Sequence, residues 1–260
     1  MIRNFEKMEN IIFGIRPVAE AIGAGRQIEK VYVRKGAEGQ LLGELREICR
    51  RRGVVVQEVP VEKLNRLTKG NHQGVVAQTA AIAYVELAEL LERIPQGDVP
   101  LFVALDGVTD VRNFGAIARS AECAGAHGLI VAAKNAAPVN ADAMKTSAGA
   151  LARIAVCRVG SMRNALKMLQ DEGLQLAAAS EKSDALLYDA DLRRPTVIVM
   201  GSEDAGVSRE VVKMCDVQLS IPLAGAVESL NVSAAAAVIL FEAVRQRGHY
   251  SDARGECKGE

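Results

Sequence analysis

Apolar residues in the second part of the chain fall into short, nearly uninterrupted runs that are separated by longer amphipathic stretches. The run LFVALD at 101–106 has no polar residue before its aspartate, which is typical of a strand buried on both faces of a sheet. Five more strands are predicted, at 129–132, 154–159, 174–179, 196–200 and about 217–220. Helices are predicted between them, at 114–124, from about 140, at 162–172 and from 208. This alternation predicts an α/β domain whose parallel sheet has helices on both faces.

The first part of the chain alternates in the same way on a smaller scale. Strands are predicted at 31–33, 54–59 and 75–81, and helices at 16–24, 40–52 and 61–67. In the second of these helices, one buried face is expected to carry Leu41, Leu45, Ile48 and Cys49. The pattern predicts a small α/β/α sandwich.

A break in the pattern separates the two parts. A short helix at 86–93 is followed by PQGDVP at 95–100, where proline and glycine indicate a linker. We therefore predict a small α/β domain at 10–80, a linker at 81–99 and a larger domain at 100–250. The charged segment 251–260 is predicted to be a mobile terminus.

Composition excludes some functions and leaves others open. Aromatic residues make up only 3% of the chain and Trp is absent, which argues against a protein that stacks single-stranded nucleic acid on aromatic platforms. The net charge is zero, but residues 10–80 hold 12 Lys and Arg against 7 Asp and Glu. This basic first module, with its Arg50–Arg51–Arg52 triplet, suits either phosphate contact or an ordinary solvated surface and helix end.

Cysteine usage indicates a reducing compartment. The five cysteines are scattered and never occur as CxxC, so we expect neither a disulfide framework nor a zinc site; they are Cys49, Cys123, Cys157, Cys215 and Cys257. The first residues carry charges throughout and lack a long apolar core, unlike a signal peptide or a membrane span. We expect a soluble cytoplasmic protein.

Three polar loops follow strands of the larger predicted sheet, at 106–121, 200–208 and 221–233. Ligands of such sheets bind at the carboxyl ends of the strands. The usual nucleotide signatures are absent: neither a strand–GxGxxG–helix pattern nor a complete P-loop occurs. The three histidines, His72, His127 and His249, are dispersed, so metal or Ser–His–Asp chemistry is poorly supported. His72 suits a structural role or an RNA contact. What remains is a site that works by positioning and hydrogen bonding.

The third loop runs directly into an alanine-rich apolar segment that is predicted to be a buried helix. Asn231 or Ser233 is expected to cap its N-terminus, and the basic residues that end at Arg247 suit its C-terminus, with Gly248 just beyond. A polar loop anchored in this way presents backbone groups to a ligand.

Three motifs in these loops occur in the order and spacing of a known family. NFGAIARS at 113–120, MGSEDAG at 200–206 and IPLAGAVESLNVS at 221–233 together resemble the SpoU/TrmH branch of the SPOUT RNA methyltransferases. The first module resembles the small RNA-binding domain, similar to ribosomal protein L-thirty-e, that precedes the catalytic domain in rRNA enzymes of this branch. One position departs from the pattern: where the family usually has proline in D-P-x-N, this chain has Val111, and proline would fix φ there.

The resemblance implies methyl transfer from S-adenosylmethionine to a ribose 2′-hydroxyl of RNA. Because the sulfonium methyl is already activated, the enzyme chiefly has to place the attacking oxygen and deal with its proton. Arg119 is the residue associated with activating the hydroxyl. Since a guanidinium stays protonated, we expect Arg119 to hold the adjacent phosphate and polarise the nucleophile. Asn113 is expected to orient the ribose or Arg119, and otherwise to cap its loop.

The other two motifs supply the remaining expected site residues. Glu203 is implied to fix Arg119 or the ligand loop, or it is simply an acid near a helix N-terminus. Ser229 and Asn231 are implied to contact substrate or orient the transfer, although either also suits a helix cap. S-adenosylmethionine, without a metal, is implied to lie among Gly201, Ile221, Leu223 and Leu230.

Fold, partners and substrate complete these expectations. The resemblance implies a deep C-terminal trefoil knot, which composition and periodicity do not predict, and a homodimer that packs over the final helix. The overall pattern is most similar to enzymes that modify a guanosine of 23S rRNA. A tRNA ribose methyltransferase is the nearest alternative, and a non-catalytic RNA-binding or ribosome-assembly protein is the alternative of another class.

Overall fold

The structure, a computed structural model, describes residues 11–248. The predicted tail at 251–260 and the first ten residues, together with His249 and Cys257, lie outside the described residues. The described chain divides into two compact units. The first ends at Ala83 and includes Pro138–Asn140, and the second holds the remainder from Tyr84 onward.

The first unit is built on a mixed four-stranded sheet. Its elements are β1 (Ile11–Phe13), α1 (Ile15–Gly23), β2 (Ile28–Arg34), α2 (Gln40–Arg51), β3 (Val56–Val59), α3 (Val61–Leu67) and β4 (Val75–Thr79). The strand order is β1-β4-β2-β3, in which β2 and β3 are parallel and the other two pairings are antiparallel. Strand β1, which has only three residues, was not predicted, because so short a run carries no periodic signal.

Helices α1 and α2 share one apolar core with the sheet, and α3 packs with a smaller cluster around Leu64. Helix α2 corrects one prediction. Its buried residues are Leu42, Leu45 and Cys49, whereas Leu41 is 46% exposed. Both leucines fit a helical spacing with Leu45, so the sequence alone does not decide between them.

The arginine triplet at the end of α2 is largely engaged locally. Arg50 and Arg51 both form ion pairs with Glu47, at 2.8 and 2.9 Å, and these hydrogen bonds lower the pKa of Glu47 to about 2. The helix-end interpretation of these two residues is therefore the one that their contacts favour.

His72 shapes the loop before β4. Its Nδ1 accepts the Gly74 amide over 3.0 Å, so its proton is on Nε2, which donates to Asn65 Oδ1 over 2.9 Å. Gly74 has a φ of 82°, a conformation that favours glycine. These contacts give His72 a structural role in the loop.

The second unit is built on a six-stranded sheet. Its elements are α4 (Leu87–Glu92), β5 (Leu101–Asp106), α5 (Val111–Cys123), β6 (Gly128–Ala132), α6 (Ala141–Thr146), β7 (Ala155–Val159), α7 (Met162–Asp171), β8 (Gln175–Ala179), β9 (Thr196–Gly201), α8 (Arg209–Val212), β10 (Val217–Leu219) and α9 (Val232–Arg247), with single 3-10 turns at Ala150–Ala152 and Leu187–Asp189. The strand order is β10-β8-β9-β5-β6-β7 and every pairing is parallel. The predicted parallel sheet is thus confirmed.

The segment predicted as a linker contributes side chains to the core of the second unit. Val85 pairs with Cys157 of β7, and Leu90 of α4 is fully buried against Gly128. Within residues 11–248, no helix is long and apolar enough to cross a bilayer.

Helix α9 is capped as predicted and is anchored at both ends. Asn231 caps its N-terminus, Gly248 follows it with a φ of 68°, and the helix packs against α5 and β9. Its apolar residues extend beyond the buried face, because Phe241 remains 49% exposed while Ile239 and Leu240 are fully buried.

Arg247 connects the C-terminal end of α9 to the segments that precede strands β5 and β9. Its guanidinium donates to the carbonyls of Leu192, Val99, Pro100 and Arg194, at 2.7 to 3.2 Å. Replacing it with alanine leaves these acceptors without their charged donor, so we expect Arg247→Ala to lower the free energy of unfolding by about 2–4 kcal/mol. Urea unfolding measures the change. Arg247→Lys, which cannot form the fork, should recover only part of it; a loss below about 1 kcal/mol for the alanine variant would contradict this role.

Candidate active site

The three polar loops identified in the sequence leave the same edge of the second sheet. Strands β5 and β9 are neighbours in register, with Asp106 opposite Gly201, so the first two loops begin side by side. The third loop connects β10 to α9, which itself packs against β9. The carboxyl edge of the sheet therefore gathers the three motifs, as the rule for parallel sheets predicts.

Asn113 lies on a helix, not in the preceding loop as the predicted helix start at 114 implied. Helix α5 begins at Val111 because the carboxylate of Asp110 caps it, accepting the amides of Arg112 and Asn113 over 2.7 and 3.0 Å. Asn113 is therefore in the first turn, and its backbone amide is already used. The capped first turn therefore fixes the position from which the Asn113 side chain extends.

Val111, where the resemblance implies proline, occupies the first helical position, at which proline is well tolerated. We expect Val111→Pro to raise the free energy of unfolding by about 0.4–1 kcal/mol, because it restricts the unfolded chain without removing an amide that Asp110 uses. Thermal or urea unfolding measures the gain. The matched control is Arg112→Pro, which removes a bonded amide and should destabilise the protein. A loss of stability in Val111→Pro would show that the first turn is not preorganised for proline.

The second loop is closed tightly on itself. Ser202 and Gly206 exchange backbone hydrogen bonds of 3.1 and 2.9 Å, which folds the loop back over Gly201. A Cβ on Gly201 would be 1.9 Å from the carbonyl carbon of Gly206, so only glycine fits this position. Asp106 at the end of β5 holds the exit of the loop by accepting the Ser208 amide over 2.8 Å. Glu203 is presented by this closed loop and not by the first turn of α8, which begins at Arg209.

Asn231 joins the three motifs through its side-chain amide. Its Nδ2 donates to Asn113 Oδ1 over 3.0 Å and to Glu203 Oε1 over 2.5 Å. Its Oδ1 accepts the backbone amides of Ser233 and Ala234 and thereby caps α9. The capping interpretation of Asn231 is confirmed, while the Nδ2 side of the same amide bonds to the other two motifs.

A cavity of about 690 Å³ lies between the second and third loops and the ends of β8, β9 and β10. All four residues expected to hold the cosubstrate line it: Gly201, Ile221, Leu223 and Leu230. Glu203, Ser229 and Asn231 line it as well. The lining combines apolar side chains such as Met200 and Ile239 with polar groups, a composition that is common in small-molecule sites.

Arg119 is not brought into this cavity. It is exposed on α5 and does not line the cavity, although Asn113 on the same helix bonds to the cavity residue Asn231. Six residues separate them, which is about 9 Å along a helix axis and not the same side of the helix. Within one chain, Arg119 is thus the predicted site residue that stands apart from the others.

Sequence reasoning missed a fourth loop at the same edge. Ser180, Glu181 and Lys182 directly follow β8 and line the cavity. The signal was present, because an apolar run ends there in polar residues just as in the other three loops. Those residues belong to none of the three motifs, so the family pattern does not indicate them.

No cysteine among residues 11–248 lines the cavity. Cys215 is the cysteine near Asp106, and burial, followed by the charges of Asp216 and Asp106, raises the pKa of its thiol to about 12. A thiol with that pKa stays protonated at neutral pH and is a poor nucleophile. The motif residues that line the cavity offer instead the Glu203 carboxylate, the Ser229 hydroxyl and the Asn231 amide.

Comparison with known protein families gives two matches. Residues 100–241 match the SpoU rRNA Methylase family, and residues 11–85 match a domain described as RNA 2′-O ribose methyltransferase substrate binding. The first match covers more than half of the chain and includes all three motifs.

Individual proteins agree with these matches. An uncharacterized tRNA/rRNA methyltransferase of Mycolicibacterium vanbaalenii is 40% identical over 240 residues, or 91% of this chain and 76% of that protein. The SpoU methyltransferase AviRb of Streptomyces viridochromogenes, solved with AdoMet, aligns with a TM-score of 0.58 at 31% identity, over 91% of this chain and 90% of that one. The A. aeolicus TrmH/SpoU tRNA modifying enzyme aligns with a TM-score of 0.54 at 31% identity, over 62% and 82%. On its motifs, its sheet and these matches, the chain belongs to the SpoU family of RNA methyltransferases.

Proposed function

We propose that this protein transfers a methyl group from S-adenosylmethionine to a ribose 2′-hydroxyl of RNA. The observation that carries the proposal is the bonded cluster of Asn113, Glu203 and Asn231 beside a cavity of cosubstrate size. Membership of the SpoU family supplies the reaction class, and the cluster supplies the polar groups that such a reaction needs.

The cavity suits S-adenosylmethionine by its size and by the kind of groups that line it. Its volume of about 690 Å³ lies within the range of ordinary small-ligand sites. Ile221, Leu223 and Leu230 would hold the apolar faces of the adenine, and glycine at 201 lets the Gly206–Val207 backbone close the loop that forms one wall of the cavity. When bound, S-adenosylmethionine supplies an activated methyl group. That AviRb was solved with AdoMet supports this assignment.

The cluster is proposed to place the ribose. Glu203 is the carboxylate of the cluster, and Asn231 holds one of its oxygens, which leaves the other free to accept a hydrogen bond. Asn113 and Ser229 offer further polar groups near the same opening. Fixing a hydroxyl among such groups lowers the barrier mainly by orientation, because a nucleophile held in place has already lost its translational and rotational entropy on binding.

Arg119 is proposed to contact the RNA and not the cosubstrate, because it is exposed and outside the cavity lining. A guanidinium can hold a phosphate in a two-pronged contact that an ammonium cannot reproduce. We expect Arg119→Lys to reduce methyl transfer by about tenfold or more while leaving S-adenosylmethionine binding unchanged. Initial-rate assays and calorimetry measure the two effects. The matched control is Arg163→Lys on α7, which should transfer methyl normally; near-normal turnover in Arg119→Lys would remove this role.

The RNA is proposed to be 23S rRNA, with a guanosine as the methylated nucleoside. The first unit is proposed to be an RNA-delivery domain similar to ribosomal protein L-thirty-e, which its match to a substrate-binding domain supports. A tRNA substrate is the second candidate, because one structural relative is a tRNA modifying enzyme. We place the reaction in the cytoplasm, consistent with the scattered cysteines.

Two features of the family are proposed for the fold. The segment from β10 into α9 is proposed to form a trefoil knot. The exposed apolar side of α9 is proposed to pair with a second copy, since Ala234, Val238 and Phe241 lie there at helical spacing. Burying such a face in an isologous dimer would remove Phe241 from water.

Methyl transfer from tritiated S-adenosylmethionine to RNA tests the proposed function. The substrates are separate rRNA and tRNA pools from a strain that lacks this protein. Label in the large-subunit rRNA is the expected result, and label in tRNA alone would move the substrate and keep the reaction class. Absence of label from both pools, with RNA still bound, would favour a non-catalytic RNA-binding or ribosome-assembly protein.

A further inference from the structure

Ser233 does not line the cavity, yet it bonds to the residue that joins the three motifs. Its hydroxyl donates to Asn231 Oδ1 over 2.6 Å, and its backbone amide donates to the same oxygen over 2.9 Å. The Ala234 amide is a third donor, at 3.4 Å. The Asn231 oxygen is therefore surrounded by donors on the helix side.

This arrangement fixes which way the Asn231 amide points. In the opposite orientation Nδ2 would face the amides of the helix N-terminus, and Oδ1 would face the carboxylate of Glu203. Both contacts would be repulsive, so Nδ2 is directed toward Asn113 and Glu203. The bonds on the oxygen side thus determine the bonds on the site side.

The Ser233 hydroxyl gives Asn231 Oδ1 a further hydrogen bond beyond those from the backbone amides. Donation to a carbonyl oxygen polarises an amide, which makes its N–H groups stronger donors in a hydrogen-bonded chain. Interior helix propensity by itself favours alanine over serine, so the contact that distinguishes serine here is its hydroxyl bond to Asn231. The chain from Ser233 through Asn231 to Glu203 gives the hydroxyl a different role.

We propose that Ser233 is a positioning residue of the methyl-transfer site. Its hydroxyl holds and polarises the Asn231 amide, and that amide keeps Glu203 beside Asn113. The inference rests on the proposed function for its catalytic consequence, although the amide orientation itself does not depend on it.

Ser233→Ala and Ser233→Thr test this role with undermodified large-subunit RNA and tritiated S-adenosylmethionine. We expect Ser233→Ala to lower kcat by about 2- to 12-fold, the usual contribution of one hydrogen bond, with little change in KM or in thermal stability. Ser233→Thr keeps the hydroxyl and should restore most of the rate. A helix-capping role alone predicts no loss of rate in Ser233→Ala, and that result would overturn the proposal.

A double-mutant cycle with Asn231→Ala shows whether Ser233 acts through Asn231. In the Asn231→Ala background, Ser233→Ala should cause no further loss of kcat, because the amide that it orients is absent. An equal loss in both backgrounds would mean that Ser233 acts by another route and would contradict the proposal.

Nuclear magnetic resonance of the Asn231 side-chain amide, in full-length protein labelled with ¹⁵N-asparagine, separates this proposal from the proposed function. We expect Ser233→Ala to shift the Asn231 Nδ2 proton signals and to speed their exchange, and Ser233→Thr to leave them near the wild-type positions. Unchanged signals in Ser233→Ala would overturn the positioning role. If wild-type protein transfers no methyl to RNA while Ser233→Ala still shifts the Asn231 signals, only the proposed function is contradicted.

Discussion

Replacing Asn231 with aspartate is expected to reduce methyl transfer by roughly 100-fold or more while preserving the N-cap of α9. Aspartate is as good a helix cap as asparagine, so the first turn of α9 keeps its acceptor. The new side chain has no N–H, however, and loses both donations, to Asn113 and to Glu203. It also places a second carboxylate against Glu203, which drives the two groups apart. The bond to the Glu203 carboxylate contributes about 1.5–3 kcal/mol and the bond to the neutral Asn113 amide about 0.5–1.5 kcal/mol, and about 1.4 kcal/mol corresponds to a factor of ten in rate.

Two further measurements make the Asn231→Asp result specific. Two adjacent carboxylates raise the pKa of one of them, so the activity of the variant relative to wild type should rise as the pH falls. Asn231→Ala serves as the control for capping: it should lose activity and about 1 kcal/mol of stability together. Near-normal turnover by Asn231→Asp at neutral pH would show that the bonded cluster is not part of the reaction.

Gly201→Ala is expected to weaken S-adenosylmethionine binding by about 100-fold. The added Cβ would lie 1.9 Å from the carbonyl carbon of Gly206 and 2.1 Å from the amide nitrogen of Val207, distances that backbone atoms cannot accommodate without moving. The loop that presents Glu203 must therefore shift away from the strand end. Overpacking of this kind costs about 1–3 kcal/mol or more. Part of that free energy is lost from binding, because the displaced loop is a wall of the cavity.

Gly225→Ala is the matched control for this substitution. Gly225 belongs to the third loop, a Cβ there would meet nothing within 4 Å, and its φ is not positive. Calorimetry should find its affinity for S-adenosylmethionine within about twofold of wild type, since the change is sterically free. Equal affinities for the Gly201→Ala and Gly225→Ala variants would contradict the assignment of Gly201 to the cosubstrate site.

The sequence predicted the larger sheet well for a clear physical reason. Strands buried on both faces leave continuous apolar runs, and β5 coincides with the predicted run Leu101–Asp106. Prediction was weaker where the signal is short or depends on contacts between distant residues. Strand β1 has three residues, and Leu41 competes with Leu42 for the same helical face.

For the candidate site, the sequence predicted which residues to consider but not how they bond. The motifs named Asn113, Glu203 and Asn231, and only the structure shows that one amide bonds to both of the others. The cap by Asp110 is a local signal that was available, because an aspartate before a helix is a common start. The position of Arg119 away from Asn113 follows from their shared helix, and the predicted helix start at 114 had left Asn113 outside that helix.

Alkaline digestion of RNA methylated by the protein tests the central claim most directly. A ribose whose 2′-oxygen carries a methyl group cannot cleave the neighbouring phosphodiester, so the label stays in an alkali-resistant dinucleotide. We predict that label transferred from tritiated S-adenosylmethionine to large-subunit rRNA will be recovered in such dinucleotides, and that the Asn231→Asp variant will yield very little of it. Label released by alkali as a mononucleotide would place the methyl group on a base and would contradict the account.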